Sequence, residues 1–124
     1  MKFKQLHVDN RGKIFLLKGD LGHPEFTIFV TRKGLARGGC IHKKSDEYTC
    51  IISGVVVYTV GMKVKRMTTG DSMIIPRRTP HYFVSITDSV VAEWGATPKE
   101  KKEKYAQFRK IVEGINDTAN TTDI

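Results

Sequence analysis

Short apolar segments alternate with polar residues along most of the chain, from Lys2 to Trp94. These segments are rich in Val, Ile, Thr, Phe and Tyr, and glycine or proline separates them, which is the pattern of β-strands joined by turns. Many short strands at regular spacing are typical of a β-sandwich or a barrel. We predict strands at residues 3–8, 13–18, 25–32, 37–42, 47–53, 55–60, 62–67, 72–75, 80–86 and 89–94.

The period of the pattern changes at Thr97. A threonine cap, Pro98 at the first helical position and Glu100 three residues after the cap are typical of a helix start. The apolar residues that follow share one helical face: Tyr105, Phe108, Ile111 and Val112.

Gly114 or Asn116 is then suited to end this helix. We therefore predict one domain, with a β-barrel over residues 1–96, a helix over 97–115 packed outside it, and a flexible tail over 116–124.

The length of 124 residues suits a single domain with a real core. No apolar run approaches the roughly 20 residues that a membrane helix needs. The first residues alternate charged and apolar side chains and lack the apolar core of a signal peptide. We expect a cytoplasmic protein without a membrane partner, in which Cys40 and Cys50 are reduced thiols.

The net charge of +8 leaves three partners to consider: nucleic acid, a membrane surface or a small anion. The basic run "KEKKEKYAQFRK" is interrupted by glutamates, which is typical of a solvated helix face. No nucleic-acid-binding motif is present. We predict an anionic small molecule, held by basic residues if these lie around one cavity: Arg32, Lys33, Arg37, Lys43, Lys44, Arg77 and Arg78.

The stretch "GGCIHKKSDEYTC" contains several residues that are able to bind a metal. Cys40 and His42 are two positions apart, so on an extended strand they point the same way. Glu47 returns after a short polar loop, and His81 lies on a later strand. Imidazole and thiolate suit zinc, copper or iron, and imidazole with carboxylate suits iron or manganese. Each residue also has a structural interpretation, with Cys40 as a small buried filler and Glu47 as a surface partner of nearby lysines.

The spacing of these residues resembles the first motif of the cupins. That motif reads glycine, five residues, His-x-His, three or four residues, glutamate, six residues and glycine. This chain has the same spacing, with a cysteine at the first histidine position: Gly34, Cys40, His42, Glu47 and Gly54.

The second cupin motif is matched in part. Gly70, Pro76 and His81 take its glycine, proline and histidine positions, whereas Arg78 and Ser85 replace its second glycine and its asparagine. The resemblance implies an all-β fold, the cupin jelly-roll β-barrel, with the C-terminal helix outside. It also implies a homodimer, because small cupins commonly pair through barrel sheets. The strand "GVVVYTV", which is apolar on both faces, favours such an interface.

A second resemblance is to sugar-nucleotide cupins, the dTDP-4-keto-6-deoxyhexose epimerases and 3,4-ketoisomerases. "VDNRGKIF" is similar to their Asp-x-Arg-Gly signature, and "ARGGCIHKK" to the ketoisomerase run Arg-Gly-Phe-His-Ala-His-Lys. The resemblance implies that His42 and Cys40 are catalytic and that a sugar nucleotide is the ligand. The substrate-binding candidates are Arg11, Arg37, Lys43 and Tyr58, the last of which is equally suited to packing.

Three functions follow, in this order. The first is an isomerase or epimerase that moves a proton next to the carbonyl of a nucleotide-linked keto-sugar and needs no cofactor. The second is a metal-binding cupin with a divalent zinc, iron or manganese ion. Its ligands would be His42, Glu47, His81 and Cys40. The third is a non-catalytic module that binds a sugar phosphate or a similar anion.

Overall fold

The structure is a computed structural model that describes residues 2–19, 25–95 and 102–122. The described residues form eleven strands and one helix, in chain order β1 (Lys2–Asp9), β2 (Gly12–Lys18), β3 (Glu25–Thr31), β4 (Ala36–Ile41), β5 (Glu47–Ser53), β6 (Val55–Val60), β7 (Lys63–Thr68), β8 (Ser72–Ile75), β9 (His81–Ser85), β10 (Ser89–Trp94), β11 (Glu103–Lys104) and α1 (Ala106–Thr122). The ten strands that the sequence predicts are present, and their ends agree to within one residue.

The strands form two antiparallel sheets. The six-stranded sheet has the order β1-β2-β3-β10-β5-β8, and the five-stranded sheet has the order β11-β4-β9-β6-β7. The helix packs on β4 and β9, outside the five-stranded sheet. The predicted all-β jelly-roll barrel with one outside helix is thereby confirmed. No helix in the described part of the chain is long and apolar enough to cross a membrane.

The inner faces of both sheets change from apolar to polar along the strands. On β10 the buried positions include Val91 and Glu93, which pair with Ile51 and Thr49 of β5. The apolar part forms the core, which comprises Ile51, Val56, Tyr58, Val60, Met67, Ile75, Phe83 and Val91. Every second residue of a strand faces the interior. A strand that places an apolar residue in the core therefore also carries a polar side chain into the same interior two positions along.

The position of the helix corrects the predicted boundaries. The predicted cap at Thr97 and its partners Pro98 and Glu100 lie outside the described residues. Within the described part, 102–105 is not helical, because Glu103 and Lys104 pair instead with Ile41 and Cys40 on the open edge of β4.

The other end of the helix also differs from the prediction. The helix continues through Gly114 and Asn116, so residues 116–122 are helical rather than a flexible tail. The side-chain amide of Asn116 accepts a hydrogen bond from the backbone N–H of Ala36 and donates one to its carbonyl, at 2.7 and 3.1 Å. Asn116 thereby ties the helix to β4 and does not cap the helix end.

Gly39 lets the helix approach β4 closely. It has a φ of 88°, and an added Cβ would lie 2.7 Å from Cδ and 3.0 Å from the backbone nitrogen of Arg109. We expect Gly39→Ala to lower the free energy of unfolding by about 1–3 kcal/mol, measured by urea denaturation. The control is Gly114→Ala, because nothing lies within 4 Å of its added Cβ. Alanine there should raise the stability by about 1 kcal/mol, and an equal effect of both changes would contradict the close approach.

Candidate metal centre

A cavity of about 450 Å³ opens between the two sheets. Side chains from both sheets line it, and so do side chains from the segment that precedes and begins α1. Its polar lining residues include Arg11, Arg37, Cys40, His42, Glu47, His81, Glu93, Lys102, Lys104 and Arg109. The sequence predicts a shared pocket for His42, Glu47 and His81, and the structure brings these three side chains together.

Two imidazoles converge on one carboxylate oxygen in this cavity. The Nε2 atoms of His42 and His81 lie 2.8 and 3.4 Å from Oε1 of Glu47. This oxygen is buried and has no hydrogen-bond partner among the described residues, and neither does Nδ1 of His42. The two imidazoles therefore lie close to the carboxylate oxygen, but neither is oriented to donate a hydrogen bond to it. Buried polar atoms without partners are rare in proteins and indicate a missing ion or water.

The tautomer of His81 follows from its second ring nitrogen. Nδ1 lies 3.2 Å from the carbonyl oxygen of Thr79. A carbonyl only accepts hydrogen bonds, so in the neutral ring Nδ1 carries the proton and Nε2 presents a lone pair to the cavity. An imidazole held in this way is oriented as metal-binding histidines are.

Glu93 is a second carboxylate at the same place, and neither sequence motif includes it. One ligand atom from each of Glu47, His81 and Glu93 lies within 4.8 Å of the other two. Burial, followed by the negative charge of Glu47, raises the pKa of Glu93, while the charges of His81 and Lys102 act in the opposite direction. The available signal was a glutamate at an inward-facing position of the otherwise apolar strand "SVVAEW".

Tyr58 does not contact the cavity, which corrects its prediction as a substrate-binding residue. It is completely buried in the core. Its hydroxyl donates a hydrogen bond to Oε1 of Glu93 at 3.0 Å and lies 2.8 Å from the hydroxyl of Thr49. Burial, and next the charge of Glu93, raises the pKa of Tyr58 well above 10.0. Tyr58 therefore acts as a neutral hydrogen-bond donor that orients Glu93.

Cys40 lines the cavity, as does His42. Between Gly38 and Cys40 the pairing of β4 with β9 shifts, so that Cys40 lies opposite His81. Among the described residues, however, the group of possible ligands at this place contains Glu47, His81 and Glu93, without the thiol and without His42. Both cysteines are free thiols, as the sequence predicts. Glu93 therefore joins Glu47 and His81 as a possible ligand that the sequence did not indicate, and Cys40 lines the cavity outside this group.

The loop between β8 and β9 holds His42 in place. The backbone N–H of Arg78 donates a hydrogen bond to the carbonyl of His42 at 2.6 Å. Arg78 stands at the glycine position of the second motif and has a φ of 63°, in the left-handed region that favours glycine. A non-glycine residue in this region costs about 1–2 kcal/mol. Arg78 nevertheless keeps the backbone conformation that a glycine would adopt in this turn.

Arg11 and Arg37, the arginines of the two sugar-nucleotide signatures, both line the cavity. Arg11 donates hydrogen bonds from Nε and Nη2 to Oδ2 of Asp9, at 2.8 and 2.6 Å. Partial burial raises the pKa of Asp9, but Arg11 outweighs it and lowers this pKa to about 2. Burial, and next the charge of Arg11, lowers the pKa of Arg37 to about 10, so the guanidinium group of Arg37 stays charged near neutral pH.

The basic residues around the cavity are not the set that the sequence suggests. Lys43, predicted to bind substrate, pairs with Glu103 at 3.0 Å and is absent from the cavity lining, and Arg77 pairs with Asp46. Of the predicted basic set, Arg37 alone is among the residues that line the described cavity. The run interpreted as a solvated helix face instead supplies Lys102, Lys104 and Arg109.

The contact between Glu47 and the imidazoles makes the stability of the metal-free protein depend on pH. Burial raises the pKa of Glu47, but His42 and His81 outweigh it and lower this pKa from 4.5 to about 2. Burial lowers the pKa of His81, but Glu47 and Glu93 outweigh it and raise this pKa above 6.5. The Glu47 contribution is therefore present above pH 4.5 and is lost as the pH falls towards 2. The His81 contribution is present below pH 6.5 and is lost as the pH rises through the raised pKa.

The melting temperatures of the chelator-treated wild type and of Glu47→Gln should therefore differ. We expect the difference between them to be largest between pH 4.5 and 6.5. Thermal denaturation across a pH series measures this difference. A difference that is constant from pH 3 to pH 9 would contradict the ion pair.

The comparisons with known proteins agree with this geometry. The family model of the cupin domain matches residues 35–98. No curated protein matches the chain.

Three solved structures illustrate the similarity of fold. The Lactobacillus farciminis oxalate decarboxylase formate complex has a TM-score of 0.71 at 20% identity, over 86% of this chain and 34% of that one. The capsular polysaccharide assembling protein CapF from Staphylococcus aureus has a TM-score of 0.67 at 16% identity, over 83% of this chain and 34% of CapF. KdgF from Halomonas sp. has a TM-score of 0.65 at 16% identity, over 77% of this chain and 88% of that one.

The chain thus spans about a third of the length of CapF and most of the length of KdgF. Structural similarity at these identities establishes the fold but not the reaction or the ligand. With the family model matching more than half of its residues, the chain belongs to the cupin family.

Proposed function

We propose that this cupin binds a divalent transition metal through His42, Glu47 and His81, with Glu93 completing or adjoining the site, and acts on a small anionic molecule. One observation carries the proposal. Two Nε2 atoms converge on Oε1 of Glu47, and neither is oriented for a hydrogen bond to it. A cation placed among these atoms would pair the buried carboxylate oxygen, which otherwise lacks a partner.

The donor set fits such an ion. Two imidazoles and two carboxylates suit iron, manganese or zinc, whereas a thiolate would favour zinc or another thiophilic metal. A bound ion would supply Lewis-acid polarisation of a substrate oxygen. The residues around it have separate tasks, because Thr79 fixes the orientation of His81 and Tyr58 fixes that of Glu93.

Elemental analysis of the purified protein tests this proposal. We expect close to one equivalent of iron, manganese or zinc per chain, removed by a chelator and restored by adding the metal back. Substoichiometric metal that does not rebind after chelation would contradict the proposal.

A second candidate is proton transfer next to the carbonyl of a nucleotide-linked keto-sugar. Its support is that His42, a possible base, lies 2.8 Å from Glu47 and lines the same cavity as Cys40, Arg11 and Arg37. Incorporation of solvent deuterium into a dTDP-4-keto-6-deoxyhexose by the chelator-treated protein would favour this candidate, because the reaction needs no metal.

Cys40→Ser separates the two candidates. If the metal is held by imidazoles and carboxylates, we expect its affinity to change by less than about threefold, which is a difference of under 1 kcal/mol. If the thiol is a catalytic acid or base, deuterium exchange should fall by about 100-fold or more. Isothermal titration with metal and exchange followed by NMR measure the two results on one variant.

We also propose that the partner of this chain is a second copy of it. A row of paired, uncharged residues crosses the outer face of the six-stranded sheet: Phe3, Leu17, Phe26, Trp94, Tyr48 and Ile74. The ring of Trp94 lies 5.3 Å from Phe26 and 5.7 Å from Tyr48. Phe3, Tyr48 and Ile74 remain 63, 41 and 54% exposed.

The size of this face suits a dimer. Six strands about 4.8 Å apart and about 20 Å long present a flat area of roughly 500 Å². A standard interface takes about 800 Å² of accessible surface from each partner. The largest apolar patch on a typical soluble monomer is about 300–600 Å². The same face on a second copy is apolar and flat as well, and two such sheets can pack face to face.

Sedimentation at micromolar concentration tests the pairing. We expect a dimer for the wild type, a monomer for Ile74→Lys, and a dimer for the control Val64→Lys on β7, where Val64 is 68% exposed. A species of 14.0 kDa for the wild type, or a dimer that survives Ile74→Lys, would contradict the proposal. Wild-type monomers that bind lipid vesicles would assign the face to a membrane instead.

A further inference from the structure

The segment that leads into the helix forms one wall of the cavity. β11 adds to the edge of β4 through the pairs Glu103 with Ile41 and Lys104 with Cys40. The backbone N–H of Tyr105 then donates a hydrogen bond to the carbonyl of Gly39 at 2.8 Å. These contacts fix the segment directly beside the strand that carries Cys40 and leads into His42.

This wall is positively charged. Lys102, Lys104 and Arg109 all line the cavity. Glu103, the acidic residue between the two lysines, is paired with Lys43 at 3.0 Å instead. The side chains of Lys102 and Lys104 form no hydrogen bond and no ion pair with any described residue, although the charge of Lys102 acts on Glu93. On β11, strand alternation places Lys104 and Glu103 on opposite faces, which explains why Lys104 lines the cavity and Glu103 does not.

Arg109 is held rigidly in the same wall. Its Nη1 donates a hydrogen bond to the carbonyl of Gly38 at 2.8 Å, and its Nη2 lies 3.5 Å from Glu113. The carbonyl carries no full charge, and Glu113 is mostly exposed, so the guanidinium charge is only weakly compensated.

A second observation indicates a ligand. The side chain of Arg37 lines the same cavity and is 3% exposed, yet its Nη1 has no hydrogen-bond partner among the described residues. Its other nitrogens have partners: Nε donates to the hydroxyl of Thr31, and Nη2 donates to the carbonyl of Val30 and lies 3.9 Å from Oδ1 of Asp9. An unpaired buried guanidinium nitrogen is costly, and an anion in the cavity is the chemical group that satisfies it best.

We infer that the wall formed by Lys102, Lys104 and Arg109, together with Arg37, binds a second anionic group of the substrate, separate from the group at the metal. The inference rests on the proposed function and narrows the substrate to a small molecule with two anionic ends. One end meets the metal site, and the other, a carboxylate or a phosphate, meets the cationic wall.

The cavity size limits the length of such a molecule. A volume of about 450 Å³ lies in the lower part of the range for small-molecule sites. It suits a short dicarboxylate or a phosphorylated acid better than a complete sugar nucleotide with its base.

Calorimetric titration of the manganese-loaded protein tests the inference. The ligands are oxalate, malonate, succinate, glutarate and inorganic phosphate, with succinamide as the neutral control. We expect at least one dicarboxylate to bind and succinamide not to bind. The double variant Lys102→Gln/Lys104→Gln should weaken dicarboxylate binding at least tenfold. The control Lys63→Gln/Lys65→Gln has the same charge change at the same spacing, on the opposite edge of the sheet, and should leave it unchanged.

The outcomes are distinguishable from failure of the metal proposal, because metal affinity is measured on the same samples. Manganese should bind equally to the wild type and to both double variants. Metal binding without lysine-dependent anion binding would overturn the inference and leave the metal site standing. Lysine-dependent anion binding without metal would retain the cationic wall and overturn the metal proposal. Binding of succinamide as tight as that of the dicarboxylates would overturn the inference, and so would equal effects of the two double variants. Binding of phosphate but of no dicarboxylate would also overturn it, because phosphate has no second anionic end.

Discussion

His81→Ala should weaken metal binding at least 100-fold while leaving the barrel folded. The side chain is 6% exposed and lies at the start of β9, and its Nε2 is 3.4 Å from Oε1 of Glu47. Loss of one imidazole from a four-donor site removes a strong ligand and leaves Glu47 and Glu93 as two neighbouring carboxylates with less positive charge to offset them. Titration of the chelator-treated variant with manganese or zinc measures the change.

The control for this variant is His7→Ala. The side chain of His7 is 52% exposed on β1 and contacts Asp9 at 3.1 Å. We expect it to bind metal as the wild type does. Circular dichroism of both variants should match the wild type, since the apolar core lies elsewhere on the strands. If His81→Ala binds metal with unchanged affinity, the metal site is not where we place it.

Phe83→Ala should cost about 3–5 kcal/mol of stability, the range for truncating a buried aromatic residue. Phe83 is 2% exposed and lies between two aromatic partners. Its ring centroid is 5.1 Å from that of Tyr58 and 6.0 Å from that of Phe29. Truncation removes these contacts and leaves a cavity beside Tyr58, which positions Glu93. A domain has only about 5–15 kcal/mol in total, so the variant should be close to unfolding at 37 °C.

Urea denaturation measures this loss. Phe83→Leu keeps most of the buried volume and should cost less than half as much. Ile52→Ala is the exposed control, because Ile52 is 49% exposed and its truncation should change the stability by about 0.5 kcal/mol or less. A Phe83→Ala variant as stable as Ile52→Ala would show that the two sheets do not pack around this ring.

The strands were predictable because alternation and turn residues act locally. The two motifs indicated His42, Glu47 and His81 because the end of β4 and the starts of β5 and β9 face one interior, although β5 lies in the other sheet. Glu93 was not predicted, since a glutamate in an apolar strand also occurs at sheet edges, and its inward position depends on the pairing of β10 with β5.

The C-terminal segment could not be predicted from its own residues. "TPKE" and the alternating charges favour a helix, yet Glu103 and Lys104 are extended because the edge of β4 offers backbone partners. That pairing is a tertiary effect, and it also turns a run of cations from an apparent solvated face into a cavity wall. Asn116, which by itself suggests a helix end, is used instead to bind Ala36.

Anomalous diffraction from crystals grown with manganese or zinc tests the metal site most directly. We predict one strong anomalous peak in the cavity, about 2.0–2.3 Å from Nε2 of His42, Nε2 of His81 and a carboxylate oxygen of Glu47. A peak elsewhere on the chain, or a cavity without one in crystals that hold the metal at saturating concentration, would contradict it.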